Sequence, residues 1–325
     1  MTSEASYYSD KAFRSTFDRP TERAELSAFR KLNKQSLSWG DTKNIFPDNI
    51  FAKETPKRLR MLEKKPDLLK EIGFEGCFDH GCIRYARLSA FSAFVNFINI
   101  FAKVGFWAIF PLSLIASLIA PDAFDGTKEE VIWKLAEVPI MMAAVTLIPW
   151  LGTSLLIQLF PKFFIRSGKG PEWELNRRTG MVKIWNYPRK LPFRKRGRPE
   201  VVEEPFTEFS PWISALGDRH GALYRLEFFH RKKDIEAYVG DFLLPQRHPV
   251  MCYAYWHFLQ NYMDITKPLP DIPILEQYRH LDPVTAEYDR KTNRPDRYWR
   301  DMDDETWKEK KREVYEKTMA CRQEV

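Results

Sequence analysis

The sequence predicts an α+β protein: a transmembrane helical hairpin, a small antiparallel sheet closed by one helix, and a helical tail. Three observations support this class. Two long apolar runs lie between residues 88 and 165, strand-like segments with turn signals follow them, and the segment after Pro249 has helical periodicity. The expected division is an N-terminal cytoplasmic segment (1–87), the hairpin (88–165), a cytoplasmic sheet-and-helix domain (166–283) and the tail (284–325).

Each apolar run is long enough to cross a bilayer. The first, LSAFSAFVNFINIFAKVGFWAIFPLSLIASLIA, covers residues 88–120 and has one charged side chain, Lys103. The second, VPIMMAAVTLIPWLGTSLLIQLFPKFFI, covers residues 138–165 and is uncharged until Lys162. A hydrocarbon core of ~30 Å needs about 20 apolar residues, and these runs are apolar on all faces. A membrane hairpin is therefore favoured over a buried hairpin in a soluble core. Lys103 lies near one end if the first span covers 104–120, whereas a span that starts nearer Leu88 is long enough to tilt or to begin as an interfacial helix.

The charges that flank the runs predict an orientation. The connecting segment, PDAFDGTKEEVIWKLAE, is acidic, whereas the outer flanks are basic, with Arg84, Arg87, Lys162, Arg166, Lys169, Arg177 and Arg178. Because Lys and Arg near span ends favour the cytoplasmic side, both termini are expected there. The four cysteines in 325 residues are too few for a disulfide scaffold, which indicates a reducing compartment. The N-terminus has no signal-peptide pattern, so internal segments are expected to insert.

The segment FEGCFDHGCIRYAR, before the first run, contains possible metal ligands. Thiolate, imidazole and carboxylate groups bind zinc, and Cys77, Asp79, His80 and Cys82 supply all three types. However, the chain has no second Cys/His pair at a recognisable spacing, and adjacent residues rarely complete a tetrahedron. Gly76 and Gly81 favour a turn. The sequence therefore predicts a turn here, with no metal and no cofactor.

Beyond residue 165 the pattern changes to strands. WELNRRTGMVKIWNY predicts a β-hairpin in which Gly180 supplies a positive φ, and ALYRLEFFHR and DIEAYVGDF predict further strands. A helix is expected to begin at Pro249, and the combination is pleckstrin-like by analogy. KPLPDIPILEQYRHLDP predicts a proline-rich extended arm. The tail DDETWKEKKREVYEKTM predicts a solvated helix capped by Asp303 or Asp304.

No catalytic pattern is present in the sequence. It has no phosphate-binding loop, nucleophile elbow, His-Glu-x-x-His or Cys-x-x-Cys motif. His220 near Asp218 resembles a general base, but a solvated turn histidine is the favoured interpretation. The chain is therefore expected not to be an enzyme.

The basic run YPRKLPFRKRGRP is the candidate surface for a partner or a lipid. Its charges come from Arg189, Lys190, Arg194, Lys195, Arg196 and Arg198. Three interpretations stay open: topological charge with incidental contact to anionic lipid, a specific acidic protein partner, or nucleic acid. The first is preferred and the last is the least favoured.

ELNRRTGMVKIW after two spans, followed by HFLQNYMD, LPDIP and YRHLDP, resembles a bacterial family of membrane-anchored proteins found near type VI secretion effectors. The resemblance covers roughly residues 91–283 and carries over no functional residue. It implies an inner-membrane immunity protein that neutralises a secreted toxin by direct binding. The alternative is an accessory or adaptor protein that recruits an effector or anionic lipid at the inner membrane.

Overall fold

The computed structural model describes residues 7–16, 20, 27, 31–40, 42–64, 74–119, 128–187, 199–219, 221–242 and 246–324. The chain divides into two compact units. The first unit combines residues 1–67, 75–86 and 171–325, and the second combines residues 68–74 and 87–170. The first is an α+β unit, and the second is built on two long apolar helices.

The α+β unit contains antiparallel strands in two sheets. In chain order the strands are β1 (Lys34–Ser36), β2 (Cys77–Phe78), β3 (Cys82–Leu88), β4 (Ser167–Asn176), β5 (Met181–Asn186), β6 (Glu200–Pro205), β7 (Phe209–Asp218), β8 (Gly221–His230) and β9 (Glu236–Tyr238). One sheet has the order β1-β7-β8-β9 and the other has the order β2-β3-β4-β5-β6. Both are open, so the predicted small sheet closed by a helix is not confirmed, although the α+β class is.

The described residues also contain eight α-helices. They are α1 (Asp48–Phe51), α2 (Pro56–Lys64), α3 (Ala90–Ile119), α4 (Lys128–Leu159), α5 (Pro161–Phe164), α6 (Pro249–Met263), α7 (Pro283–Thr292) and α8 (Asp304–Ala320). The segment predicted as an extended arm instead contains a 3₁₀-helix, Pro273–Leu281, whose Ile274, Leu275 and Tyr278 are buried.

The predicted β4–β5 hairpin forms in the register that places Trp173 opposite Ile184 and Leu175 opposite Val182. All four side chains are buried, because strand side chains alternate between faces and these share one face. Gly180 has a φ of 70° in the connecting turn. A side chain is disfavoured at this φ, which explains why glycine occupies the position.

Helix α6 lies at the centre of the core of the α+β unit. It begins at Pro249, as predicted, where the missing N–H is tolerated. The sequence suggests one packed face, yet residues on every face of α6 are buried, including the polar His257 and Gln260. His257 Nδ1 accepts a hydrogen bond from the amide of Lys43 at 3.1 Å. The Trp256 indole donates to the carbonyl of Ser38 at 3.0 Å, so the middle of the helix binds the N-terminal segment.

Arg177 lies in this core and not at a membrane flank, where its sequence position suggested. Its side chain and that of Asp282 are fully buried, with 3.1 Å between Arg177 Nε and Asp282 Oδ1. The guanidinium also donates to the carbonyls of Asp264 at 2.9 Å and Lys267 at 2.8 Å. Tyr8 donates its hydroxyl hydrogen to the same Asp282 oxygen at 2.5 Å. The pair therefore joins four distant stretches of chain.

In the second unit, α3 and α4 pack against each other in an antiparallel manner. Asn99 of α3 faces Thr153 of α4, and Gly105 of α3 faces Thr146 of α4. The two helices therefore run in opposite chain directions. Both helices are long and apolar enough to cross a membrane, over Ala90–Ser117 and Leu135–Leu159. The two predicted apolar helices are thus present, and each is a candidate membrane span.

Candidate functional site

The predicted basic surface lies outside the described residues. This applies to Arg189, Lys190, Arg194, Lys195, Arg196 and Arg198, and also to His220. The four possible metal ligands are described, and the predicted turn is the tip of the β2–β3 hairpin. The structure brings three of them, Cys77, Asp79 and Cys82, within 4.8 Å of one another.

A polar cleft in the α+β unit is a candidate for a binding site. The 3₁₀-helix, α7, the loop after α7 and the end of α2 enclose a cleft of about 780 Å³. Charged side chains dominate its lining: Arg279, Arg290, Arg294, Arg297, Arg300, Glu63, Glu276, Asp289 and Asp296. Small-molecule pockets are mostly apolar with a few polar groups, and the lining of this cleft differs from that composition.

Two arginines of the cleft are held rigidly by paired carboxylates. Arg279 donates to both oxygens of Asp289, from Nε at 2.7 Å and from Nη2 at 2.6 Å. Arg294 donates to both oxygens of Asp271, at 3.0 Å and 2.7 Å. A planar guanidinium matches a carboxylate in this two-bond geometry, which fixes the orientation of the side chain. The remaining N–H groups therefore point in defined directions.

Glu63, at the end of α2, contacts two more arginines. It accepts a hydrogen bond from Arg297, and Arg300 Nη1 lies 3.6 Å from the same carboxylate oxygen. The hydrogen bond from Arg297 is the main reason why the pKa of Glu63 is below its usual value. Arg297 also pairs with Asp301, at 3.1 Å. This side of the cleft is solvated, so these pairs order the side chains more than they stabilise the fold.

Glu276 is the buried carboxylate of the cleft. Its Oε1 accepts the amide hydrogen of Trp299 at 2.5 Å, and its Oε2 lies 3.3 Å from Arg300 Nε. Burial raises the pKa of Glu276 above its usual value, although the Trp299 amide and the charge of Arg300 oppose the shift. Glu276 thus accepts a hydrogen bond on one oxygen and faces the guanidinium of Arg300 with the other.

Arg290, on α7, differs from the other arginines of the cleft. Its side chain is exposed, and it forms no salt bridge with any residue in the described part of the chain. Five arginines against four carboxylates leave the lining close to neutral, with fixed charges of both signs. Charges held at fixed positions give specificity through electrostatic complementarity.

Sequence reasoning missed this cleft, although a signal was present. In DRKTNRPDRYWR, arginines recur at positions 290, 294, 297 and 300, at intervals of three or four residues. Such spacing predicts one charged face. The carboxylates that pair with these arginines come from elsewhere, for example Asp271 and Glu63. Their participation depends on the tertiary fold.

The contact between α3 and α4 contains the main polar group of the helical unit. The Asn99 amide nitrogen donates to Thr153 Oγ1 at 2.8 Å, Ser154 Oγ at 2.7 Å and the Trp150 carbonyl at 3.3 Å. Lys103, one turn further along α3, has its Nζ 5.9 Å from the centroid of the Trp150 ring. Because polar groups are costly in an apolar environment, these contacts specify how the two helices pair.

Comparison with known proteins identifies no relative. No family model, no curated protein and no solved structure matches the chain.

Proposed function

We propose that this chain is a membrane-anchored protein-binding protein. In this proposal α3 and α4 form a transmembrane hairpin, and the α+β unit captures a protein partner beside the membrane. The proposed biological role is immunity, in which direct binding neutralises a secreted bacterial toxin. The pleckstrin-like analogy belongs to this proposal and is supported by antiparallel strands followed by a helix.

The observation that carries the proposal is the exposure of the apolar helices. Only 11% and 6% of the most apolar stretches of α3 and α4 is buried, unlike the core helices of soluble proteins. Trp107 and Leu112 on α3 are each 65% exposed, and Ile148 on α4 is 68% exposed. Apolar patches of this extent need a covering in water. A bilayer fits by length, because 28 and 25 helical residues extend about 42 Å and 38 Å.

Lys103 is compatible with a membrane span, and its depth agrees with the alternative in which the span starts near Leu88 rather than the one over 104–120. Because α3 begins at Ala90, Lys103 lies about 20 Å along the helix axis. A lysine at the centre of a span costs about 2.5–3.5 kcal/mol on insertion scales. Its position over the Trp150 ring offsets part of this cost, since a desolvated cation–π contact contributes up to about 2 kcal/mol.

Basic residues near the start of α3 and the end of α4 support an orientation with both termini in the cytoplasm, and the inner membrane is the location that belongs to this proposal. Arg87, Lys162, Arg166 and Lys169 flank the hairpin, and the Ser89 amide donates to the Arg166 carbonyl at 2.9 Å, so the two flanks meet at one level. Positive charge beside span ends favours the cytoplasmic side. Reporter fusions at each terminus test this orientation. Activity of a periplasm-specific reporter at either end contradicts it.

Alkaline extraction of membranes tests the anchor. The full chain is expected to stay in the pellet when carbonate removes peripheral proteins and to enter the supernatant only with detergent. Release by carbonate alone refutes the transmembrane hairpin.

Capture from detergent extracts tests the binding function. We expect a toxin encoded nearby to co-purify with the full-length chain, and Arg290→Glu to weaken its capture because the cleft loses an exposed cation. Arg312→Glu is the matched control, since that arginine is 68% exposed on α8, outside the cleft. Survival of cells that lack the gene and express each neighbouring toxin contradicts the immunity role.

The basic flanks also support the alternative, an accessory or adaptor protein that contacts anionic lipid. Each basic residue near an anionic surface contributes about 1 kcal/mol. An accessory protein is required for secretion by the producing cell, whereas an immunity protein is required for survival of the recipient. Deleting the gene in producer and recipient strains separately distinguishes the two.

A further inference from the structure

The tip of the β2–β3 hairpin brings two cysteines together. Cys77 pairs with Arg84, and Phe78 pairs with Ile83, in an antiparallel register. Because side chains alternate along a strand, Cys82 shares a face with Arg84 and therefore with Cys77. The two sulfur atoms are 2.8 Å apart, although both cysteines are free thiols. This separation is shorter than an ordinary thiol contact.

The turn between the cysteines holds this geometry. Asp79 Oδ1 accepts the amide hydrogens of Gly81 at 2.7 Å and Cys82 at 2.9 Å, and the Asp79 amide donates to the Cys82 carbonyl at 3.1 Å. The hydroxyl of Tyr262, on α6, donates to the Asp79 carbonyl at 2.8 Å. The tip is thus tied to the core helix, and its sulfur atoms remain together without a covalent bond.

A metal ion accounts for the arrangement less well than a disulfide does. Two thiolates on one tetrahedral zinc ion lie roughly 3.8 Å apart, given a Zn–S distance of about 2.3 Å. The observed sulfur atoms are about an ångström closer than this. Among the described residues the cluster offers three donors, and one of them, Asp79, already accepts two amide hydrogens through Oδ1.

We propose that Cys77 and Cys82 are a redox-active dithiol that closes reversibly to an intramolecular disulfide by exchange with a low-molecular-weight disulfide. The Cys77 thiolate attacks one sulfur of that disulfide and releases one thiolate, which takes up a proton. Cys82 then loses its proton, and its sulfur attacks the Cys77 sulfur, which releases the second thiol. Two electrons pass from the cysteines to the oxidant, which becomes two thiols.

The position of Cys77 opposite the cationic Arg84 in the β2–β3 register favours Cys77 as the attacking sulfur. The hydrogen bond between the two sulfur atoms lowers the pKa of Cys77, while burial opposes the shift. The same bond and burial raise the pKa of Cys82. Cys252, on α6, is fully buried, and burial raises its pKa to about 12. It therefore serves as an internal control that is expected to stay reduced.

Mass spectrometry of the detergent-solubilised full chain tests the proposal. The protein is equilibrated in mixtures of reduced and oxidised glutathione, alkylated under denaturing conditions and digested with trypsin. Both cysteines fall in one tryptic peptide, residues 71–84. The expected product is this peptide without alkyl groups and with a mass two hydrogen atoms below that of the reduced, unalkylated peptide. The ratio of this product to the doubly alkylated peptide is expected to change about tenfold for each ~30 mV change in the reduction potential of the glutathione mixture, as a two-electron couple requires.

A variant that lacks Cys82 separates the first exchange step from ring closure. With Cys82→Ser, Cys77 is expected to hold glutathione as a mixed disulfide that the wild type resolves. Stable glutathione adducts on the wild-type peptide, or alkylation of both cysteines at every poise, overturn the proposal. Stoichiometric binding of Zn²⁺ by the reduced protein that prevents ring closure also overturns it, in favour of a metal site.

Discussion

The buried ion pair between Arg177 and Asp282 predicts a large loss of stability when the arginine is replaced. Both side chains have no exposed surface, and the guanidinium also donates to the carbonyls of Asp264 and Lys267. In Arg177→Met the aliphatic stem is largely preserved, but these buried acceptors lose their donor and Asp282 loses its counter-charge. The substitution therefore isolates the charge and its hydrogen bonds from most of the packing.

The expected magnitude follows from the cost of an unpaired buried charge. Removing one partner of a buried pair costs about 3–5 kcal/mol. In a domain of this size each kcal/mol lowers the unfolding midpoint by about 2–4 °C, which predicts a decrease of roughly 6–20 °C for Arg177→Met. Thermal unfolding in detergent, followed by tryptophan fluorescence, measures this shift.

The pH dependence gives a second readout of the same pair. Burial raises the pKa of Asp282, but the charge of Arg177 and hydrogen bonds from Thr285 and Tyr8 outweigh it, so the net pKa is below the usual 3.8. A carboxyl whose pKa is lowered by folding stabilises the fold above its unfolded-state pKa. We expect this contribution to be complete above about pH 4, to be lost as the pH falls towards the lower folded-state pKa, and to be absent in Asp282→Asn.

The controls separate this effect from general damage. The double variant Arg177→Met/Asp282→Asn is expected to be less destabilised than the sum of the single variants, because no unpaired charge remains. Arg312→Met, at an exposed position on α8, is expected to change the free energy of unfolding by less than about 0.5 kcal/mol. If Arg177→Met costs less than ~1 kcal/mol, which is typical of an exposed pair, the reasoning is wrong.

Three further substitutions test other contacts. Gly180→Ala is expected to lower the free energy of unfolding by about 2–5 kcal/mol, measured with denaturant. The φ of 70° disfavours a side chain, and a Cβ would overlap the backbone of the N-terminal segment. Gly217→Ala is the control, because no atom lies within 4 Å of the Cβ that it adds. Asp303→Ala is expected to cost about 1 kcal/mol in the same assay, because its carboxylate caps α8. Asn99→Leu is expected to weaken the packing of α3 against α4 by about 1–2 kcal/mol in detergent titration, because it removes the hydrogen bonds from Asn99 to α4. Asn96→Leu is the control, because Asn96 donates to a carbonyl of its own helix. If Gly217→Ala or Asn96→Leu loses as much stability as the substitution that it controls, the contact assigned to Gly180 or Asn99 is contradicted.

Local signals predicted the elements whose structure depends on neighbouring residues. The β4–β5 hairpin, the start of α6 at Pro249 and the Asp303 cap of α8 are each determined within a few residues of chain. The two apolar helices were predictable because composition alone distinguishes them. In each case the physical cause is short-range: turn geometry, a missing amide or a capping oxygen.

Contacts between distant residues account for what the sequence could not predict. Arg177 looks like a flanking charge because it follows an apolar run, but its partner Asp282 is 105 residues away. The proline-rich segment predicts an extended arm, yet the core buries Leu275 and Tyr278 in a 3₁₀-helix. The cleft depends on such pairings too, since Arg294 is oriented by Asp271, 23 residues earlier.

In both units the polar side chains that are removed from water have hydrogen-bond partners, although the surroundings of the two units differ. In the α+β unit, Arg177 is buried among carbonyls and a carboxylate that satisfy its donors. In the helical unit, Asn99 satisfies its amide against α4 while the surrounding apolar side chains face outward. A soluble helix pair would reverse this second arrangement, with apolar groups inside and polar groups in water. The inverted pattern suits a lipid environment, and it supports the proposed membrane anchor independently of helix length.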